Sequence, residues 1–457
     1  MNIDGQHITI VGAGLTGSLL AVMLLQRGAR ITLLERLSDP RETETEAGRS
    51  INLAMAARGL RALKHVGLDE ALSDLLCPMP GRILHDKSGD LTFQPYGSRE
   101  IDINYSVSRA GLNKLLINAA ESAGADLRFE QKCVGYDAQS NRLLMQDLRG
   151  EPLAYQLATQ RIIAADGAGS PIRRSLRDQE IIDGSEQLLS HRYQEITIPA
   201  TAHGGYAMPP EGLHVWPRGA YMLIALPNPE KDFTATLFMP ETAMPEQPSF
   251  EWWRQSGKAA AFFAETFPDV PGLVPDLEQQ LEQHPLGILG TIRCTPWHFG
   301  DRCLLIGDAA HAIVPFHGQG MNAAFEDCIV FDGLIDETED WSQLFGRFSD
   351  ARLPNADAIA EMALENYTEM RDVVRDAGFQ LRKKLALHLE ATCPTFFVSR
   401  YSMVMFHADI PYATAQQRGA EQDSLLRQWT TNKQSLEDID LAACERYVVE
   451  NLPPLRN

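Results

Sequence analysis

The chain opens on an apolar run: residues 8–25 (ITIVGAGLTGSLLAVMLL) contain no charged side chain. Periodicity divides the surrounding segment, 7–36, into a buried strand, a glycine turn, a helix ending at Gly28 and a second strand over 30–34 that closes on Glu35. This is a βαβ unit of about the usual thirty residues. Gly12, Gly14 and Gly17 interrupt the run and no Lys or Arg precedes it, so neither a signal peptide nor a membrane span is expected there. An acid-rich polar loop follows at 39–46. The pattern then predicts helices over 56–66 and 109–123, the second stopped by Gly124. Strand-like alternation covers 125–165, and RIIAADGAGSPIRR (161–174) repeats the motif of strand followed by glycine turn.

From 193 to 240 β-branched and aromatic residues alternate with turn signals at Pro209-Pro210, Pro217-Arg218-Gly219 and Pro227-Asn228-Pro229, which predicts an antiparallel sheet and a second domain. A helix is predicted over 252–267. Residues 303–328 return to a buried strand, a loop with Pro315 and a helix after Gly320. Beyond 330 the period is helical, most clearly over 356–370 and 423–430.

Composition narrows the function classes. With 41 basic against 61 acidic residues the net charge is −20, the wrong sign for binding nucleic acid. A hydrophobic share of 44% and a charged share of 22% are those of a globular chain, not a disordered one. The 7 Cys lack any C-x-x-C spacing, so neither a disulfide framework nor a cysteine zinc site is expected, and a reducing cytoplasmic setting fits. His311 and His317 are not at metal-ligand spacing, so no metal is expected.

Gly12-Ala13-Gly14-Leu15-Thr16-Gly17 places G-x-G-x-x-G between a strand and a helix. The glycines permit the turn and a close approach to a pyrophosphate, and the helix N-terminus offers N–H donors. Glu35, at the end of the second strand, is placed to accept from a ribose hydroxyl. The fingerprint alone leaves NAD and FAD open. A second acid at a strand end, Gly307-Asp308, followed by a helix start at Gly318-Gln319-Gly320-Met321-Asn322, suits a long extended cofactor: a carboxylate for a ribityl chain and a helix dipole for negative charge on a reduced flavin.

These residues, Gly12 to Gly17 with Glu35-Arg36, then Ala165-Asp166-Gly167, then Gly307-Asp308-Ala309-Ala310-His311 with Pro315, resemble the three signatures of the group A flavoprotein aromatic hydroxylases. Within that group, GRSINLAMAARG (48–59), FQPYG (93–97), HVWPRGAYMLIALPN (214–228), VPFHGQGMN (314–322), MALENYTEM (362–370) and RYSMVMF (400–406) are similar to the kynurenine hydroxylases, in family order over nearly the whole chain. The resemblance implies an α/β fold. A Rossmann-like FAD-binding domain of 1–75, 100–180 and 290–330 is interleaved with an antiparallel-sheet substrate domain of 76–99 and 181–289, linking helices 331–374 and a helical C-terminal domain 375–457. It implies bound FAD, transient NADPH, O₂, a flavin C4a-hydroperoxide, and conversion of L-kynurenine to 3-hydroxykynurenine.

An amino-acid substrate needs a cation for its carboxylate and an apolar slot for its ring. The resemblance carries the carboxylate grip to Arg82 and Tyr96, with Asn366 and Tyr401 as further polar partners; Glu369, one turn from Asn366 on the same helix face, is placed to meet the α-ammonium or to orient Arg82. Ile224, Leu226, Phe238, Pro315, Phe316 and His317 become the ring pocket and flavin-facing wall. Gly12, Gly14, Leu15, Thr16, Gly17, Glu35, Arg36, Arg109, Asp166, Gly167, Gly307, Asp308, Pro315, Gly318, Gly320, Met321 and Asn322 become cofactor contacts. No side-chain acid or base is assigned, and His317 is read as packing on the flavin. Membrane-anchored members of the group end in an apolar segment; 410–457 has none, so the soluble bacterial type is expected. Another amino- or hydroxy-aromatic acid as substrate, a flavin-binding sensor without turnover, and an NAD dehydrogenase stay open from the residues alone, as does the choice between monomer and homodimer.

Overall fold

A computed structural model describes residues 1–42, 52–242, 248–369 and 376–455. Part of the acid-rich loop expected at 39–46, the start of GRSINLAMAARG and Met370 lie outside the described residues. The chain divides into two compact units: unit 1 is Met1–Leu75, Val107–Leu188 and Gly290–Ala360; unit 2 is Leu76–Ser106, Leu189–Leu289 and Glu361–Asn457.

Unit 1 is organised by a six-stranded sheet in the order His298–Phe299, Cys303–Leu305, Ile162–Ala164, His7–Val11, Arg30–Leu34, Asp126–Arg128. All neighbours run parallel except the first two. A parallel sheet covered on its faces reads as continuous apolar strands, and His7–Val11, Arg30–Leu34 and Ile162–Ala164 do so. The helix Leu15–Gln26 follows the first strand and buries Gly17 through Leu24 on every side, which is why the opening run carries no charge. The strands Gln131–Asp137, Arg142–Asp147 and Leu153–Ala158 form a separate antiparallel sheet.

Unit 2 carries most of a seven-stranded sheet in the order Gly287–Thr295, Asp183–Ile198, Phe233–Pro240, Tyr221–Pro227, Leu213–Arg218, Gly81–His85, Leu91–Pro95. The antiparallel pattern expected over 193–240 is present, but Leu213–Arg218 joins Gly81–His85 in parallel. The chain leaves this unit after residue 106 and returns only at 189. Leu213–Arg218 follows that long connection, so no hairpin joins it to Gly81–His85 and it is free to pair in either sense. An aromatic core of Trp216, Phe233, Phe250, Trp253, Phe262, Phe263 and Phe267 packs one face of this sheet.

Two helices differ from the periodicity. The single helix expected over 252–267 is two, Phe250–Ser256 and Ala259–Thr266, because Gly257 takes a left-handed conformation (φ 66°) and caps the first. The helix expected to begin at 356 starts at Trp341 and runs to Thr368 through Pro354, a residue that sequence reasoning treats as a stop. The C-terminal helices Ala377–Thr392, Tyr412–Thr430 and Leu441–Asn451 close over Leu385, Leu389, Phe397, Cys444 and Val448. All seven cysteines are buried free thiols, and no helix among the described residues is long and apolar enough to cross a membrane.

Unit 2 also buries a polar chain. His214 Nε2 donates to the Pro209 carbonyl at 2.7 Å, its Nδ1 lies 2.7 Å from His85 Nε2, and His85 Nδ1 lies 2.9 Å from Asp269 Oδ2, which also accepts from the Trp216 indole at 2.8 Å. Burial pushes His214 down to about 4. The unfolded chain therefore takes up this proton first as the pH falls, and the fold loses stability between about 6.5 and 4, by about 3 kcal/mol at most. Urea unfolding at stepped pH is expected to show this acid loss in the wild type. A His214→Gln variant that loses stability identically over that window would rule it out.

Candidate cofactor and substrate sites

In unit 1 the glycine turn is shaped by close packing. Gly12 has φ 103°, and a Cβ there would run into the Ala165 carbonyl; a Cβ at Gly17 would run into the Gly12 carbonyl. Gly14 instead faces open space. The helix that starts at Leu15 has no side-chain cap, so its first-turn N–H groups are left for another acceptor. Glu35 braces the turn: Oε2 accepts from the Ala13 N–H and Oε1 from the Leu37 N–H, both at 2.9 Å. Each oxygen keeps capacity for a hydroxyl donor. Arg36 and Arg109 are exposed, Arg109 at the first position of the helix Arg109–Ser122.

Asp166 ends the neighbouring strand. Both carboxylate oxygens are buried and make no close hydrogen bond, and burial pushes the carboxyl up to about 6 against the weaker pull of Ser170, the nearby backbone N–H groups and Arg173. Buried polar atoms are seldom left unsatisfied, so this carboxylate has capacity for a further donor. Gly167 beside it is left-handed (φ 78°) and open. Asp308 is exposed at the start of the short helix Asp308–His311, reached through Gly307 at φ 60°. An uncapped helix start, an open glycine and orphaned carboxylate oxygens together match the needs of an extended dinucleotide, so the residues present fit FAD.

Asn322 has a different part. Its Oδ1 accepts from the Ala56 and Gly59 N–H groups at 2.9 and 3.2 Å, and its Nδ2 donates to the Ala54 and Gly318 carbonyls, both at 2.9 Å. The side chain ties residues 54–59 to the Gly318 turn, which leaves only its backbone to meet a ligand. The helix Gly320–Glu337 starts there with Met321 half-buried. Pro315, Phe316 and His317 form one 3₁₀ turn, with Phe316 and His317 buried.

Beneath Gly307 lies a charged network that sequence reasoning missed. His311 Nε2 meets Asp327 Oδ2 at 2.6 Å; Asp327 Oδ1 meets Arg352 Nε at 2.6 Å; Arg352 Nη1 meets Glu326 Oε2 at 2.6 Å; Glu326 Oε1 meets Arg58 Nε at 2.9 Å. Asp327 Oδ2 also accepts from the Gly307 N–H at 3.2 Å, and Trp297 stacks on His311 with centroids 4.9 Å apart. Burial would raise the Asp327 carboxyl, but His311 and Arg352 outweigh it and hold the group below its usual range.

In unit 2, Arg82 sits on the strand Gly81–His85, flanked by Leu213 and Gln94 on its two neighbours. Its guanidinium carbon lies 5.7 Å from the Tyr96 ring centre and 5.2 Å from that of Tyr401, and the two rings stack 5.4 Å apart. Arg82 Nε is buried without a partner. Burial pushes the phenols of Tyr96 and Tyr401 up, so both stay neutral hydroxyl donors. Tyr401 also accepts from Asn104 Nδ2 at 3.2 Å. Met79, Tyr96 and Leu226 form an apolar cluster with Ile224, Leu213, Tyr401 and Phe406 packed against it. Phe238 lies on the next strand, opposite Met222 and Tyr193. Asn366 is buried and Glu369 half-buried at the end of the helix Trp341–Thr368. The structure thus collects Arg82, Tyr96, Tyr401, Leu226 and Ile224 at one place, although they come from four separate stretches of chain.

Comparison with known proteins gives the family and the fold. A family model described as an FAD binding domain matches residues 6–332. Kynurenine 3-monooxygenase of Myxococcus xanthus (strain DK1622) is 42% identical over 449 residues, covering 98% of this chain and 96% of that protein. The enzyme of the same name from Stenotrophomonas maltophilia (strain K279a) is 43% identical over 452 residues, covering 98% of each. Among solved structures, the tetrameric form of 2-methyl-3-hydroxypyridine-5-carboxylic acid oxygenase superposes with a TM-score of 0.63 at 18% identity, covering 82% of this chain and 94% of that one.

Proposed function

We propose, for a chain that belongs to the kynurenine 3-monooxygenase family of FAD-dependent aromatic monooxygenases, that the reaction is NADPH- and O₂-dependent hydroxylation of L-kynurenine to 3-hydroxykynurenine. The observation that carries the substrate assignment is Arg82, a buried cation beside the stacked rings of Tyr96 and Tyr401, with Tyr96 part of an apolar cluster. This is the pairing that an aromatic amino acid requires.

In unit 1 the open face at Gly14 and the uncapped N-terminus after it would hold the FAD pyrophosphate, Glu35 a ribose hydroxyl, and Asp308 the ribityl chain. When bound and reduced by NADPH, FAD supplies the activation of O₂. Asp166, with two unsatisfied oxygens, accepts from a cofactor hydroxyl or amide, and that contact favours its charged form. Arg109 gives an anionic co-substrate an exposed cation.

In unit 2 the carboxylate of the substrate meets Arg82 with hydroxyl donation from Tyr96 and Tyr401, and Glu369 meets the α-ammonium. The ring enters the slot of Ile224 and Leu226, which excludes water and fixes which carbon is presented. The amino group on the ring already activates the ortho carbon, so these residues work by positioning and no side-chain base is assigned.

Purified holoprotein is expected to oxidise NADPH faster when L-kynurenine is added and to form 3-hydroxykynurenine. Faster turnover of anthranilate or a hydroxybenzoate would instead favour another aromatic acid. NADPH oxidation indifferent to every aromatic would reject the hydroxylase reading.

A further inference from the structure

A second cation stands beside Arg82. Lys383, on the helix Ala377–Thr392, donates from Nζ to Gln94 Oε1 at 3.1 Å, and Gln94 is the cross-strand partner of Arg82. Neither Arg82 nor Lys383 forms an ion pair with a carboxylate among the described residues, and the acid whose charge acts on both is Glu369. Burial and the nearby Arg82 charge push the Lys383 ammonium down to about 8, as expected of a cation short of its counter-ion. Two cations against one acid leave this pocket positive in a chain whose net charge is −20. Such an excess is stable only where an anion completes it.

We propose that Lys383 is a substrate-binding residue, bracketing the substrate carboxylate together with Arg82 while Glu369 takes the α-ammonium. Resting on the reading of the substrate as an aromatic amino acid, this makes the pocket selective for the zwitterion. A ligand with the same ring and ammonium but no carboxylate meets two cations and is disfavoured.

The test uses FAD-loaded enzyme and measures dissociation constants, from the flavin absorbance change, for L-kynurenine and for the amine left by its decarboxylation. Wild type is expected to favour L-kynurenine. Lys383→Gln is expected to weaken L-kynurenine binding about tenfold and leave the amine unchanged or tighter, so that the preference collapses, while Lys383→Arg restores it. Equal weakening of both ligands, or a preference kept intact in Lys383→Gln, overturns the role of Lys383 and leaves the proposed function standing. A wild type that fails to bind L-kynurenine at all removes both.

Discussion

Replacing Arg82 by Met is expected to raise the KM for L-kynurenine by about ten- to a hundredfold while FAD stays bound, because a charge-assisted contact contributes about 1.5–3 kcal/mol. The separation of the two effects follows from where the residue lies: Arg82 belongs to unit 2, whereas the glycine turn, Glu35 and Asp166 belong to unit 1. Methionine keeps the length of the side chain, so Tyr96 and Tyr401 retain an apolar neighbour. The loss is then of charge and not of packing. Steady-state kinetics and the flavin content of the purified variant check both halves. Unchanged kinetics would show that Arg82 is not the carboxylate anchor.

The largest loss of stability is expected from Arg352→Met. Arg352 is the hub through which Asp327 and Glu326 are neutralised, at 2.6 Å each. Its removal takes one cationic partner from each of two buried carboxylates, leaving Asp327 with His311 and Glu326 with Arg58, and breaking such buried pairs costs about 3–5 kcal/mol. Because Asp327 also accepts from the Gly307 N–H, the damage extends to the turn that presents Asp308, and weaker flavin retention should accompany the lower urea midpoint. Arg347→Met provides the contrast. Its pair with Glu337 is exposed, and such pairs hold little stability. If the two variants unfold at the same urea concentration, the network does not support this part of the fold.

Periodicity and turn chemistry exposed the βαβ opening, the second glycine turn and the sheet over 193–240, because each is encoded within a few neighbouring residues. Two helix ends were misread for equally local reasons, Gly257 taking a left-handed conformation and Pro354 being accommodated inside a long helix. The site divides along the same line. Glu35 and Asp308 follow from strand ends and a fingerprint. Arg82, Tyr96 and Tyr401 were reached only through family resemblance, since nothing local relates strand Gly81–His85 to helix Arg400–Phe406.

Lys383 and Asn104 carry no local signal, and the network from His311 to Arg58 carries little. A lysine in a helix and an asparagine in a strand look like surface residues until tertiary contacts remove them from water. The pairing of Glu326 with Arg58 and Arg352 has no sequence periodicity to reveal it. The one local signal for the network is Glu326-Asp327, two adjacent acids in the apolar first half of the helix Gly320–Glu337.

The strand order of the six-stranded sheet bears on how the chain is made. The opening strand His7–Val11 has Arg30–Leu34 on one side from early in synthesis, but its other neighbour is Ile162–Ala164, whose own far edge is covered only by Cys303–Leu305. About two thirds of the polypeptide must therefore leave the ribosome before this sheet is closed, and the first units of it wait with an apolar edge exposed. Until then that open edge is where a nascent chain of this design is most prone to pair with another chain.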